Sequence, residues 1–143
     1  MKKLPIKITI IGLLVMLVSA CGSSAYDYRT ERRVDHVDVM LGKATMVGNT
    51  SLSVMFDSIE KDSRCPINAK CAWSGVGIVN VIVINAAGES KKLALSTINF
   101  ENYNKVENAF GKDFELMELL PKRVAGSGAK PEITKTLIKL SVD

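Results

Sequence analysis

One histidine, one tryptophan and three cysteines are the scarce features of this 143-residue chain, and each scarcity excludes a class of chemistry. With His36 as the only imidazole, a Ser/His/Asp-type constellation has a single possible base. His36 stands between Asp35 and Asp38, and none of the serines occupies a nucleophile-elbow context. Cys65 and Cys71, six positions apart, together with His36 fall short of the four ligands of a zinc site. "SGVG" at Ser74–Gly77 lacks the Gly-Lys-Ser/Thr that a phosphate loop requires. Glu115 and Glu118 are close in sequence but form no glycosidase motif. No amphipathic segment is long enough for a helical bundle, and there is no internal repeat.

What is present begins at the N-terminus. Lys2, Lys3 and Lys7 flank a run from Ile8 to Ala20 without charge, followed at once by Cys21. A basic start, a short apolar stretch and small residues before a cut site describe a secretory signal peptide over residues 1–20. The run is too short for a comfortable membrane span. Its removal leaves 16 of the 19 Lys and Arg against 15 Asp and Glu. The apparent basicity therefore belongs largely to the signal, and the clustered positive face that nucleic-acid binding needs is missing. About 123 residues remain, which suits one domain.

Val18-Ser19-Ala20-Cys21 resembles the lipobox of bacterial lipoproteins. The resemblance implies cleavage before Cys21, a diacylglyceryl thioether on its sulfur and acylation of the new amino terminus. Three acyl chains would hold far more firmly than the marginal grip of one. Gly22, where an aspartate would favour inner-membrane retention, points to the outer membrane. Residues 21–33, "CGSSAYDYRTERR", lack an apolar period and read as a tether spanning at most roughly 40 Å. The globular domain is expected over residues 34–143.

Export places Cys65 and Cys71 in an oxidising compartment. With Cys21 consumed by lipid, the remaining pair is even, which favours a disulfide staple over a redox or metal pair. Pro66 biases the intervening chain toward a turn. Trp73 is expected to cover the disulfide as a core lid; the alternative is an exposed ring that grips a ligand. "DSRCPINAKCAWSG", Asp62–Gly75, resembles a motif of small uncharacterised exported bacterial proteins, many of them lipoproteins. That resemblance implies no activity and no cofactor.

Elsewhere β-type alternation dominates. Val37–Val47 reads as one strand interrupted at Gly42, and Gly48–Thr50 as a turn. Leu52, Val54 and Phe56 alternate with polar residues. Val76–Asn85 is apolar on both faces apart from Asn80, and so is expected to lie centrally and be covered on both sides. "KKLALST" pairs back after the turn "NAAGES". Phe114–Leu120 reads as strand or short helix. Pro121–Glu132 reads as an exposed Pro/Gly loop, and Ile133–Val142 as a final strand. The expected fold is all-β: a small antiparallel sandwich or barrel of about six to seven strands.

Two loop sites emerge as recognition candidates. Phe100 and Tyr103 stand among asparagines in "INFENYN", a composition suited to aromatic anchors with polar contacts; core packing of Phe100 is the plainer alternative. Lys122, Arg123 and Lys130 form a small basic patch suited to anionic headgroups or polysaccharide. The functional expectation is a membrane-anchored cell-envelope lipoprotein acting as a binding or interaction module, its partner an envelope protein or polysaccharide. The alternatives are an inhibitor of a cell-wall hydrolase or an envelope enzyme.

Overall fold

A computed structural model describes residues 34–126 and 135–143. The expected signal peptide, the tether with Cys21, residues 127–132 of the Pro/Gly loop with Lys130 among them, and residues 133–134 of the expected final strand lie outside the described residues. Eight strands follow one another: β1 (Asp35–Met40), β2 (Ala44–Met46), β3 (Ser53–Asp62), β4 (Gly77–Ile84), β5 (Ser90–Ser96), β6 (Val106–Ala109), β7 (Lys112–Leu120) and β8 (Leu137–Val142). They form two four-stranded antiparallel sheets, ordered β1-β8-β7-β6 and β2-β3-β4-β5. The all-β expectation holds, and the architecture is a sandwich.

The core is what alternation demands. Val37 and Val39 of β1, Ile138, Leu140 and Val142 of β8, and Phe114 and Leu116 of β7 face Val54, Phe56, Val79, Val81, Val83, Leu93 and Leu95 from the other sheet. Burial of each large side chain contributes ~1.5–3 kcal/mol.

Three departures from the expected pattern have local causes. The Val37–Val47 stretch is two strands in different sheets, because Gly42 (φ +75°) turns the chain from β1 into β2. Phe114–Leu120 is strand. The helix preference of its Leu and Glu residues is overridden by pairing on both sides, with β6 and β8, and a bulge at Met117 adds one residue, so that Leu116 and Leu119 both point inward. On β4, Val79, Val81 and Val83 are buried while Asn80, Ile82 and Ile84 opposite them are only half-buried. On that outer face Ile78 alone is buried, next to the β3–β4 connection; further along a two-layer sandwich offers no second cover, and Ile82 is flanked by Met55 and Lys92.

Strand direction sorts the connections to two ends. Asp35 pairs with Val142, which pairs with Phe114, and Gly48 lies against Asp35. Ser53 pairs with Ile84, and Ile84 with Ser90. Residues 34 and 143 and the turns 47–52, 85–89 and 110–111 therefore share one end, the proximal end. The connections 62–76, 97–105 and 121–126 share the other, the distal end, since Leu120 pairs with Leu137 and Asp62 with Gly77.

Candidate functional site

The distal end is organised by the connection between β3 and β4. After Asp62 the chain runs out and back on itself. Ser63 N–H donates to the Val76 carbonyl at 2.8 Å, and Cys65 N–H to that of Ser74 at 2.7 Å. The Ser63 hydroxyl completes this closure against the Val76 backbone. Gly75 adopts φ +71°, and a Cβ there would lie 1.9 Å from the Ser63 carbonyl oxygen. Only glycine fits so close a return. Cys65 and Cys71 are joined as expected, with S–S 2.08 Å and Cα–Cα 6.0 Å.

Arg64 locks the base of this loop. Its Nε and Nη2 donate to the two carboxylate oxygens of Asp62, both at 2.8 Å. Nη2 also donates to the Pro121 carbonyl at 3.0 Å, and Nη1 to that of Leu119. The planar fork thus ties β3 to the end of β7, which a lysine's point charge cannot reproduce.

The segment after β7 braces the loop from the same side. Ile67 N–H donates to the Arg123 carbonyl at 2.9 Å, and the Arg123 guanidinium to the Arg64 carbonyl at 3.0 Å. Asn68 exchanges hydrogen bonds with Ala125. Lys122 lies 3.4 Å from Glu118. Lys122 and Arg123 are exposed, yet both are engaged with neighbours, and the basic patch is mostly a brace.

Trp73 corrects the expectation of a core lid. It is 51% exposed. The ring stands 5.7 Å from that of Phe100, tilted by 32°. Chain direction explains this: the disulfide ring and the Gly75 return fix the outgoing limb at the surface, where the core is already filled from the strands.

Phe100 is half-buried, and Lys61 Nζ lies 5.4 Å from its centroid, a cation–π contact. Phe100 and Tyr103 pair through two backbone hydrogen bonds of 2.9 Å, closing a tight loop with Glu101 at φ 53°. The Tyr103 hydroxyl donates to Glu60, whose other oxygen accepts from Asn80 Nδ2 at 3.3 Å. That bond and the negative charge of Glu60 raise the Tyr103 pKa above its ordinary 10.0, with burial and Glu101 adding to the effect. Asn99 and Asn104 hold the loop itself, through Lys105 N–H and the Glu107 carboxylate.

Phe100, Tyr103, Lys122 and Arg123 thus all lie around the disulfide loop, the aromatic pair on one flank and the basic pair on the other. Sequence reasoning missed Glu60, Lys61 and Asn80. Glu60 and Lys61 signalled only through a loss of apolar alternation at the end of β3, where bulges interrupt the register, and Asn80 through being the polar exception in the apolar run of β4.

Away from this end, His36, Asp38, Met117, Glu118, Lys139 and Leu140 line an open concavity of about 510 Å³ on the outer face of the β1-β8-β7 strands. Lys139 there pairs with Glu118 at 3.5 Å. Among the described residues, no group of three or more His, Cys, Asp or Glu is placed to hold a metal ion. Comparison of the chain with protein-family models, curated proteins and solved structures finds no match.

Proposed function

We propose that this protein is a lipid-anchored module of the cell envelope that binds an envelope protein or polysaccharide through the surface around Trp73 and Phe100. Anchoring rests on the charge-free run before Cys21 and the lipobox-like Val18-Ser19-Ala20-Cys21, with Gly22 favouring the outer membrane. The observation that carries the binding reading is Trp73. Its neighbours Asp62, Ser63, Arg64, Cys65, Cys71 and Gly75 all have internal structural partners, whereas this large ring is left half in water beside Phe100. Exposed aromatic side chains on a braced loop provide contact area at low entropic cost. The surface also lies at the distal end, away from residue 34.

Trp73 is the only tryptophan, so its emission reports occupancy directly. Titration of the lipidated protein in micelles with soluble wall-glycan fragments, and with purified envelope proteins, is expected to shift that emission with one class. Trp73→Ala should abolish the same binding in a pull-down. Full binding by Trp73→Ala would overturn the assignment. Acyl labelling in growing cells checks the anchor: the wild type should take up labelled fatty acid and Cys21→Ser should not.

A second reading, inhibition of a wall hydrolase, is favoured by Ile67. It is 67% exposed on a loop held by a disulfide and by the 121–126 segment. A rigid convex loop suits insertion into an enzyme cleft. Inhibition of a purified hydrolase that is lost in Ile67→Ala, with glycan binding absent, would select this reading.

A further inference from the structure

The proximal end carries apolar features of its own. β6 and β7 join through Phe110 and Gly111, with Ala109 paired to Lys112. Both linking residues have positive φ, 51° and 77°. Two-residue hairpins of this kind favour Asn-Gly, because a short polar side chain tolerates left-handed backbone and a bulky ring does not. Burial does not compensate Phe110, which is 38% exposed. The fold therefore tolerates a strained conformation in order to hold an aromatic ring outward at a hairpin tip.

Two more exposed apolar side chains share this end: Val34 at 43% and Met46 at 59%. β1 lies beside β2, and β6 beside β5. Val34 and Met46 consequently mark one corner of the end and Phe110 the other. The ionic groups at this end are Lys91 and Lys112 against Asp35, Glu89, Asp113 and Asp143, an excess of acid.

We propose that this end rests on the bilayer that holds the Cys21 lipid, with Phe110 at one corner and Val34 and Met46 at the other seated in the headgroup–acyl boundary. The occupant follows from the chain that enters here. Only residues 21–33 separate Cys21 from Val34, a reach of roughly 40 Å. The membrane is thus the one apolar phase held permanently within range, and a contact too weak to act from solution is populated when tethered. Aromatic rings favour that boundary, and the excess of acid suits a neutral lipid surface, so that anionic lipid weakens the contact at low salt. The inference rests on the lipid-anchor reading and fixes how the anchored domain stands: two corners on the membrane, Trp73 pointing away.

The test uses the lipidated full chain in phosphatidylcholine vesicles whose acyl chains are brominated near the headgroup. With selective tryptophan excitation, the wild type reports from Trp73 alone, and its emission should be unchanged by bromination. The F110W/W73F protein should lose about half of its emission on neutral vesicles, and less when phosphatidylglycerol is added at low salt. M46W/W73F should be quenched likewise, and serves as the test if the first variant misfolds. Unquenched emission from both, quenching of Trp73 in the wild type, or emission changes that appear only on self-association or on adding an envelope protein would overturn the proposal. Acyl labelling of the same samples separates the causes: missing label overturns the anchor and this inference together, whereas label without quenching overturns this inference alone. Phe110→Asn should reduce collisional quenching of a probe at Met46 and raise the melting temperature by a few degrees. A lower melting temperature would make Phe110 a structural residue and likewise overturn the proposal.

Discussion

The Ser63 carbonyl oxygen occupies the space where a side chain on Gly75 would begin, 1.9 Å from an ideal Cβ. Gly75→Ala must therefore open the return of the disulfide loop as well as force a positive φ. The expected loss is at least about 2 kcal/mol, read from urea unfolding. A change within about 0.5 kcal/mol, the ordinary surface range, would show that the two limbs are not held in contact.

Arg64 presents the second test of that loop. Its side chain is 17% exposed, and Asp62 and two carbonyls share its guanidinium. Arg64→Ala leaves the Leu119 and Pro121 carbonyls without this donor and should cost about 2–3 kcal/mol. Arg64→Lys should recover little of it, because the bidentate geometry is lost. Recovery of wild-type stability by lysine would mean that charge alone matters here.

Replacing Cys65 and Cys71 together by alanine should cost about 2 kcal/mol, the loop-entropy value for a ring this small. The loop should not collapse, because Ile67 and Asn68 remain tied to Arg123 and Ala125. Hydrogen exchange at Ile67 in the double variant checks this: retained slow exchange is expected, and full solvent rates would make the disulfide the sole brace.

Tyr103 gives a pH signature. Its proton is held more tightly in the folded protein, since Glu60 accepts it and is negatively charged. The associated stability is fully present below the ordinary tyrosine pKa of 10.0 and is lost as pH rises through the raised folded value. In a 295 nm titration with Tyr103→Phe as the blank, Tyr103 should ionise above pH 10. Glu60→Gln should bring it back toward the ordinary range. An unchanged titration in Glu60→Gln would remove Glu60 as the cause.

The strands were legible wherever a run kept strict alternation, as in Leu52–Phe56, and wherever a run was apolar on both faces, as in β4. The count was short because Gly42 was read as a bend within one strand, when it carries the chain between sheets. The ambiguity at Phe114–Leu120 came from the helix preference of Leu and Glu, which pairing with β6 and β8 overrides. The disulfide followed from compartment and parity. The exposure of Trp73 did not, because it depends on which way a loop limb points, and that is set by the φ of Gly75 and by a distant partner, Phe100. Lys122 and Arg123 were visible as charges, but their hydrogen-bonding and ion-pair partners come from segments far away in the chain.

The first and last strands lie side by side, with Asp35 opposite Val142, and Asp143 exchanges backbone hydrogen bonds with Asp113. Residues 34 and 143 are therefore neighbours, and the sandwich is suited to circular permutation: a short linker would join them, with new ends opened in the exposed hairpin turn at 86–89. The same adjacency decides where a reporter can go. A fluorescent protein fused after Asp143 would sit beside residue 34 and wedge the domain away from whatever lies on that side. An epitope inserted after Gly126, past the Asn68–Ala125 contact, would instead be displayed at the opposite end, next to the disulfide loop.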